Sequence, residues 1–412
     1  MPNFVLGGSG WRAKNIPIIL FLLALPLSLY FLRLPDPNFI LLAILWLAVS
    51  ILNFCFCRTS GAKLLWLNFG FLCLFAGATE LYLKSLGYGS FGRPPARHEG
   101  NKTALTKPHE ILGYTLPAEI RATDRAYSGD ELMWDVTYTM DRRGLRVTPE
   151  PQRRDRCILF FGGSFVFGEG IDDEATLPYQ VGEMMAPDVK AYNFGMTGYG
   201  AHQMLAALEL GLVDETLDCD RNAVSDVVYQ SLSMHLLRAA GVAPWDDHGP
   251  RYELDEKGEA IYRGHFDDGY RKLLRPLLKR AHKSAIYQRA FGKWQYFRRP
   301  KPADSDRFIA IVWQAREIVR DRYPCAAFHI LFWDTDWHLN EEVIARFEAR
   351  GLKVHRVSTI LPDYGATETG DIYNVHPDDD HPNGLANAGV ADFFVKSVFS
   401  EESPCDKPVL SD

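Results

Sequence analysis

Three long uncharged runs open the chain. Residues 16–32 lie between Asn15 and Arg33, residues 37–57 lie between Asp36 and Arg58, and a third run from Lys63 to Lys84 is broken only by Glu80. Each is close to the ~20 residues that cross a hydrocarbon core of ~30 Å. Residues 1–87 are therefore predicted to form a membrane anchor of three transmembrane helices. A cleaved signal peptide is the competing reading for the first run, but no small-residue cleavage pattern follows Leu32 and two more apolar runs come close behind. Arg12 and Lys14 precede the first run, and Arg58 and Lys63 separate the second from the third, so those sides are expected to be cytoplasmic. Arg33, Lys84 and Arg93 lie on the opposite sides and make this bias modest. Three crossings place the rest of the chain on the outer face.

Past the anchor the pattern changes twice. Residues 88–107 are rich in Gly, Pro and basic residues without apolar periodicity, as in a linker. Residues 108–154 hold short alternating stretches such as 135–140, closed by a turn at 141–144, and read as a small β preface. From 155 to 400, strand-length apolar runs alternate with helical stretches, which predicts an α/β domain with a mostly parallel sheet. The predicted strands are 157–161, 189–193, 226–230, 328–333 and 352–357. Helices are expected near 179–185, 201–212, 304–323, 341–350 and 388–399. Residues 242–303 exceed a simple crossover and read as an insertion, with a hairpin at 256–259 and a helical stretch at 270–299, in the position of a lid. Residues 401–412 form a tail.

Composition refines this picture. The 412 residues are 47% hydrophobic and 24% charged, with a net charge of -7, yet almost all the acids follow residue 87. No domain is strongly basic, which argues against nucleic acid as a partner. Cys55, Cys57 and Cys73 fall in apolar runs and act there as small hydrophobes. Cys157, Cys219, Cys325 and Cys405 can form disulfides in an exported domain, but their spacing fits neither a zinc ribbon nor a dense scaffold, and the pairing is not legible. Residues 271–301 carry eleven Lys or Arg and no acid. With Leu273, Leu274, Leu277, Leu278, Ala281 and Ala285 on one face, they predict a basic amphipathic helix. Its apolar face either packs on the domain or rests at anionic lipid headgroups or an acidic polysaccharide.

The chemistry-bearing residues follow predicted strand ends, where open α/β sheets place their sites. Gly162-Gly163-Ser164 follows the first strand, Asn193-Phe194-Gly195-Met196-Thr197-Gly198 the second, and Asp378-Asp379-Asp380-His381-Pro382-Asn383 comes after the last. A serine at the start of a helix meets free backbone N–H groups that stabilise an oxyanion. Asp378 lies three residues before His381, near enough to orient its imidazole, which then takes a proton from Ser164. A metal site on His376, His381 and these carboxylates is the competing reading, unsupported by any further ligand motif.

This succession of blocks, spanning residues 156–400, resembles the SGNH (GDSL-like) hydrolases. The resemblance implies a flavodoxin-like three-layer α/β/α fold with no cofactor or metal. It implies Ser164 as nucleophile, His381 as base, Asp378 as its orienter, and the N–H groups of Ser164 and Gly198 as oxyanion donors. Two positions depart from the family pattern. Gly163 stands where Asp is usual before the serine, and the segment 229–235 lacks the asparagine that gives the third oxyanion donor, leaving Ser233 or His235 as substitutes. An α/β-hydrolase is less apt, since its Gly-x-Ser-x-Gly elbow is broken here by Val166.

Together these features predict a serine esterase or O-acyltransferase in the bacterial inner membrane, with its catalytic domain periplasmic. It would act on ester groups, O-acetyl above all, of envelope or exported glycans or on small esters, with lipids around its helices. The alternative is a catalytically weak or inactive SGNH domain that serves as scaffold or glycan-binding component among envelope-assembly proteins.

Overall fold

The computed structural model describes residues 20–28, 38–57, 59–86, 96–243, 245–269, 281, 283–292, 300–334, 340–364, 370–400 and 405. The chain divides into two compact units, residues 1–95 with 272–298 and residues 96–271 with 299–412.

In the first unit, two helices among the described residues, against the expected three, are long and apolar enough to cross a membrane. They are Phe39–Phe56, with mean hydropathy 2.6, and Ser60–Ser85, with 1.5. Asn38 and Thr59 begin them by accepting backbone N–H groups at their first turns, which satisfies donors that have no intrahelical partner. Their large apolar side chains point outward, Leu65 being 67% and Phe75 71% exposed, the inverse of a water-soluble helix. Of the first apolar run, residues 20–28 are helical, and its remainder lies outside the described residues.

Glu80, the one acid in these helices, is buried. Its carboxylate accepts from the Ser284 hydroxyl at 2.8 Å and from the N–H groups of Ala285 and Ile286 at 2.9 and 3.0 Å. Part of the basic insertion thus docks on these helices, and a carboxylate too costly to bury alone is satisfied by the first turn of a short helix. Most of the predicted helix at 270–299 lies outside the described residues.

The second unit is a mixed α/β domain around a five-stranded parallel sheet. Its strands are β1 (Arg156–Phe161), β2 (Val189–Asn193), β3 (Val224–Leu232), β4 (Ala327–Trp333) and β5 (Lys353–Arg356), in spatial order β5-β4-β3-β1-β2. Both faces are covered, which is why β1 is apolar along its length rather than alternating. Ile158 and Phe160 pack with Val181, Val390 and Phe394. Cys157, Leu159 and Phe161 pack with Leu205, Phe308 and Ile330. The helices Leu177–Met184 and Gly384–Phe393 supply the first face, and Ala201–Glu209 and Pro302–Arg322 the second. The strand order reverses between β1 and β3, and such a switch point opens a crevice at the carboxyl ends of the strands.

The β preface begins earlier than its alternation suggests. Arg97–Gly100 pairs with Arg121–Ser128, which pairs in turn with Glu131–Thr139. All four residues of that edge strand are exposed, so no apolar periodicity marks it inside the expected linker. The predicted hairpin of the insertion is present, with Pro250–Leu254 paired to Ala260–His265.

Two disulfides settle the pairing that spacing left open: Cys157 with Cys219, and Cys325 with Cys405. The first closes a separation of 62 residues, and in the chain-entropy account a loop of that size contributes about 4 kcal/mol. Cys157→Ser is expected to lower the unfolding free energy by roughly that amount, measured by urea denaturation of the oxidised protein.

Candidate active site

β1 ends at Phe161, and two glycines turn the chain so that Ser164 opens the one-turn helix Ser164–Phe167, with its side chain nearly buried. Asn193, at the end of β2, locks the neighbouring loop. Its amide donates to the Val166 carbonyl at 2.9 Å and its oxygen accepts from the Gly195 N–H at 2.9 Å. That loop carries Gly198 at φ +87°, a left-handed conformation that suits glycine. A Cβ there would also lie 2.6 Å from both Trp245 Nε1 and the Tyr114 hydroxyl. Ser164, Gly198 and His381 line one cavity of about 740 Å³, with Lys102, Tyr114, Glu169, Arg238 and Trp245 among its other walls. Ser164, Gly198 and His381, which the sequence singled out, therefore border the same cavity.

The carboxylate bonded to His381 is not the expected Asp378. His381 Nδ1 lies 2.5 Å from Asp379 Oδ1, whereas Asp378 accepts from the Ser128 hydroxyl at 2.6 Å. The local structure explains the correction. Asn374–His376 and Asp379–Pro382 form a hairpin, so Asp379 and His381, two apart on one strand, face the same way, while Asp378 sits in the turn. The Asp378 N–H donates to His376 Nδ1 at 3.0 Å, giving His376 a role within that turn. Among the described residues no group of three or more His, Cys, Asp or Glu is placed to hold a metal ion.

A second carboxylate, Glu169, escaped the sequence reading. Its Oε2 is 3.7 Å from His381 Nε2 and accepts from the Thr197 hydroxyl at 3.1 Å, while Oε1 meets Lys102 Nζ at 2.6 Å. Lys102 in turn reaches buried Asp124 at 3.2 Å. Burial alone would raise the pKa of Glu169, but the charges of His381 and Lys102 outweigh it and hold the group ionised. Burial likewise pulls His381 down, and the Asp379 hydrogen bond together with the Glu169 charge more than reverses this, so its pKa lies above the ordinary imidazole value. Asp379 is pushed up by burial and brought below the usual carboxylate value by its bond to His381.

A base must be neutral to accept a proton, so with His381 in the role expected from the sequence, the acid limb of a kcat/KM profile is expected to follow its pKa. Glu169→Gln removes one of the charges that raise it. The acid limb of the kcat/KM profile should move to lower pH, while the maximum rate falls because the imidazolium formed in the reaction loses a counter-charge. An unmoved limb would show that His381 does not titrate in that profile.

The substitutes considered for the third oxyanion donor do not border the cavity. Ser233 donates to the Asn340 side chain. His235 is fully buried with Nδ1 2.7 Å from the Tyr229 hydroxyl, and burial, followed by the charge of Arg238, keeps its pKa well below the ordinary value.

No family model matches the chain, and no curated protein matches it. Several solved structures are similar. A lipolytic protein of the G-D-S-L family from Desulfitobacterium hafniense is 10% identical, with TM-score 0.27, over 57% of this chain and 96% of that one. An acetyl xylan esterase from the rumen bacterium Butyrivibrio proteoclasticus is 12% identical, with TM-score 0.31, over 60% of this chain and 63% of that one. A carbohydrate esterase with divergent catalytic and non-catalytic binding functions at its active site is 10% identical, with TM-score 0.32, over 74% of this chain and 98% of that one. Identities and scores this low leave the chemistry of this chain to its own residues.

Proposed function

We propose that this chain is a membrane-anchored SGNH-type serine esterase or O-acyltransferase. Ser164 Oγ attacks the carbonyl carbon of an acyl ester while His381 Nε2 takes its proton. The tetrahedral intermediate collapses with cleavage of the ester C–O bond, and the leaving alcohol takes the proton back from His381. Water or a sugar hydroxyl then attacks the acyl-serine by the same route in reverse. The observation that carries this reading is the shared cavity wall of Ser164 and His381, with Asp379 bonded to the far side of the imidazole. Asp379 fixes the tautomer that leaves Nε2 able to accept, and stabilises the imidazolium.

The substrate class is an acylated glycan, with O-acetyl as the acyl group. Tyr114 and Trp245 flank Gly198 on the cavity wall and offer rings against which sugar faces can pack. The two disulfides favour an oxidising compartment, in line with an inner-membrane anchor and a periplasmic catalytic domain. Full-length protein in detergent should release acetate from an acetylated glycan and transfer acetyl when an acceptor sugar is supplied. Ser164→Ala should abolish both reactions, and unchanged release from that variant would refute the proposal.

A further inference from the structure

The missing asparagine and the glycine before the serine have one physical explanation. The helix Met234–Ala239 follows β3 and carries Arg238, which borders the cavity with Ser164 and Gly198. Arg238 Nη1 donates to the Tyr199 carbonyl at 2.7 Å and lies 2.7 Å from where a Cβ on Gly163 would sit. The guanidinium therefore lies beside the residue before Ser164 and bonds the residue after Gly198, the two positions that flank the proposed backbone oxyanion donors. Any side chain at 163, aspartate included, would displace it.

Among the described residues no carboxylate forms an ion pair with Arg238, and its Nε is buried without a hydrogen-bond partner. The Trp245 indole lies 5.6 Å from it. Burial pulls the guanidinium pKa down and neighbouring groups, Asp246 and Glu169 among them, only partly compensate, so a negative charge forming beside it would be stabilised.

On the reading above, we propose that the Arg238 guanidinium is the third oxyanion donor, replacing the asparagine side chain that the segment after β3 lacks. When the Ser164 Oγ–C bond forms, the carbonyl π pair moves onto oxygen. The resulting alkoxide accepts N–H groups from Ser164, Gly198 and Arg238. When the C–O bond of the leaving alcohol breaks, that pair returns to the carbonyl. A guanidinium has five N–H groups in a fixed plane, so it can keep its bond to Tyr199 while turning another toward the oxyanion.

The test uses full-length protein in detergent with p-nitrophenyl acetate. Arg238→Ala should lower kcat by about 10²–10³-fold, the loss expected for one oxyanion donor, and leave KM within a few-fold of wild type. Added guanidinium ion should restore part of that rate, and Arg238→Gln, which keeps an N–H donor, should fall between. If the alanine variant does not fold, Arg238→Gln and Arg238→Lys carry the same criterion, a fall in kcat at steady KM. The proposal is overturned if kcat stays near wild type, or if the loss lies in KM and is larger for a carboxylate-bearing ester, which would mark a clamp for anionic substrates. Ser164→Ala separates the levels: its inactivity beside a fully active Arg238 variant defeats only the role of Arg238, whereas its full activity defeats the ester-cleaving reading itself.

Discussion

Asp379→Asn is expected to lower kcat on an activated ester by about 10⁴-fold, while Asp378→Asn leaves it within a few-fold of wild type. The contrast follows from the hairpin. Asp379 accepts both the backbone N–H of His381, at 2.9 Å, and the ring Nδ1, at 2.5 Å. An asparagine amide in that place can donate to Nδ1, which turns the imidazole to the tautomer with its proton on Nε2 and leaves no base for Ser164. Asp378 spends its carboxylate on Ser128, so its loss removes a contact between the turn and the β preface. Steady-state kinetics of the two variants, with circular dichroism to confirm folding, checks the assignment. Equal losses would indicate that the turn, rather than one carboxylate, matters.

The second large effect concerns stability. Arg146 is fully buried between the β preface and the loop after Ser164. It donates to the carbonyls of Phe167 and Ile171, both at 2.6 Å, and to Gly168, and it pairs with Asp173 at 2.9 Å. Burial pulls its pKa down, and Asp173 only partly compensates. Arg146→Met keeps much of the volume but strands three carbonyls and a carboxylate. Removing one partner of a buried ion pair costs about 3–5 kcal/mol, so the urea midpoint should drop sharply. Those carbonyls flank Glu169, so the variant should also lose the elevated acid limb attributed to that residue.

The fold was legible where burial on both faces left uninterrupted apolar runs: the five predicted strands are the five strands of the sheet, with ends shifted by a few residues. The candidate site was legible where glycines and strand ends coincide, as at Ser164 and Gly198, which line one cavity. Other residues were hidden for identifiable reasons. The choice between Asp378 and Asp379 turns on whether the segment is a loop or a strand, and four residues are too few for a periodicity to decide. Lys102 lies in a stretch that reads as linker because its neighbouring edge strand is polar on both faces. Glu169 sat in plain view within the serine block, but its partner His381 is far away in the chain, and the contact exists only once the sheet has formed. Arg238 is one cation among 45 Lys and Arg, set apart only by the space that Gly163 leaves for it. The docking of Ser284 on Glu80 is likewise a long-range contact, although a lone acid in an apolar run already asks for a partner.

The most direct test of the central claim is covalent. Full-length protein treated with a fluorophosphonate, digested and mapped by mass spectrometry should carry the adduct on Ser164 alone. Labelling should be lost in Ser164→Ala and strongly slowed in His381→Ala. Folded wild-type protein that takes no label, or takes it at another residue, would contradict the account.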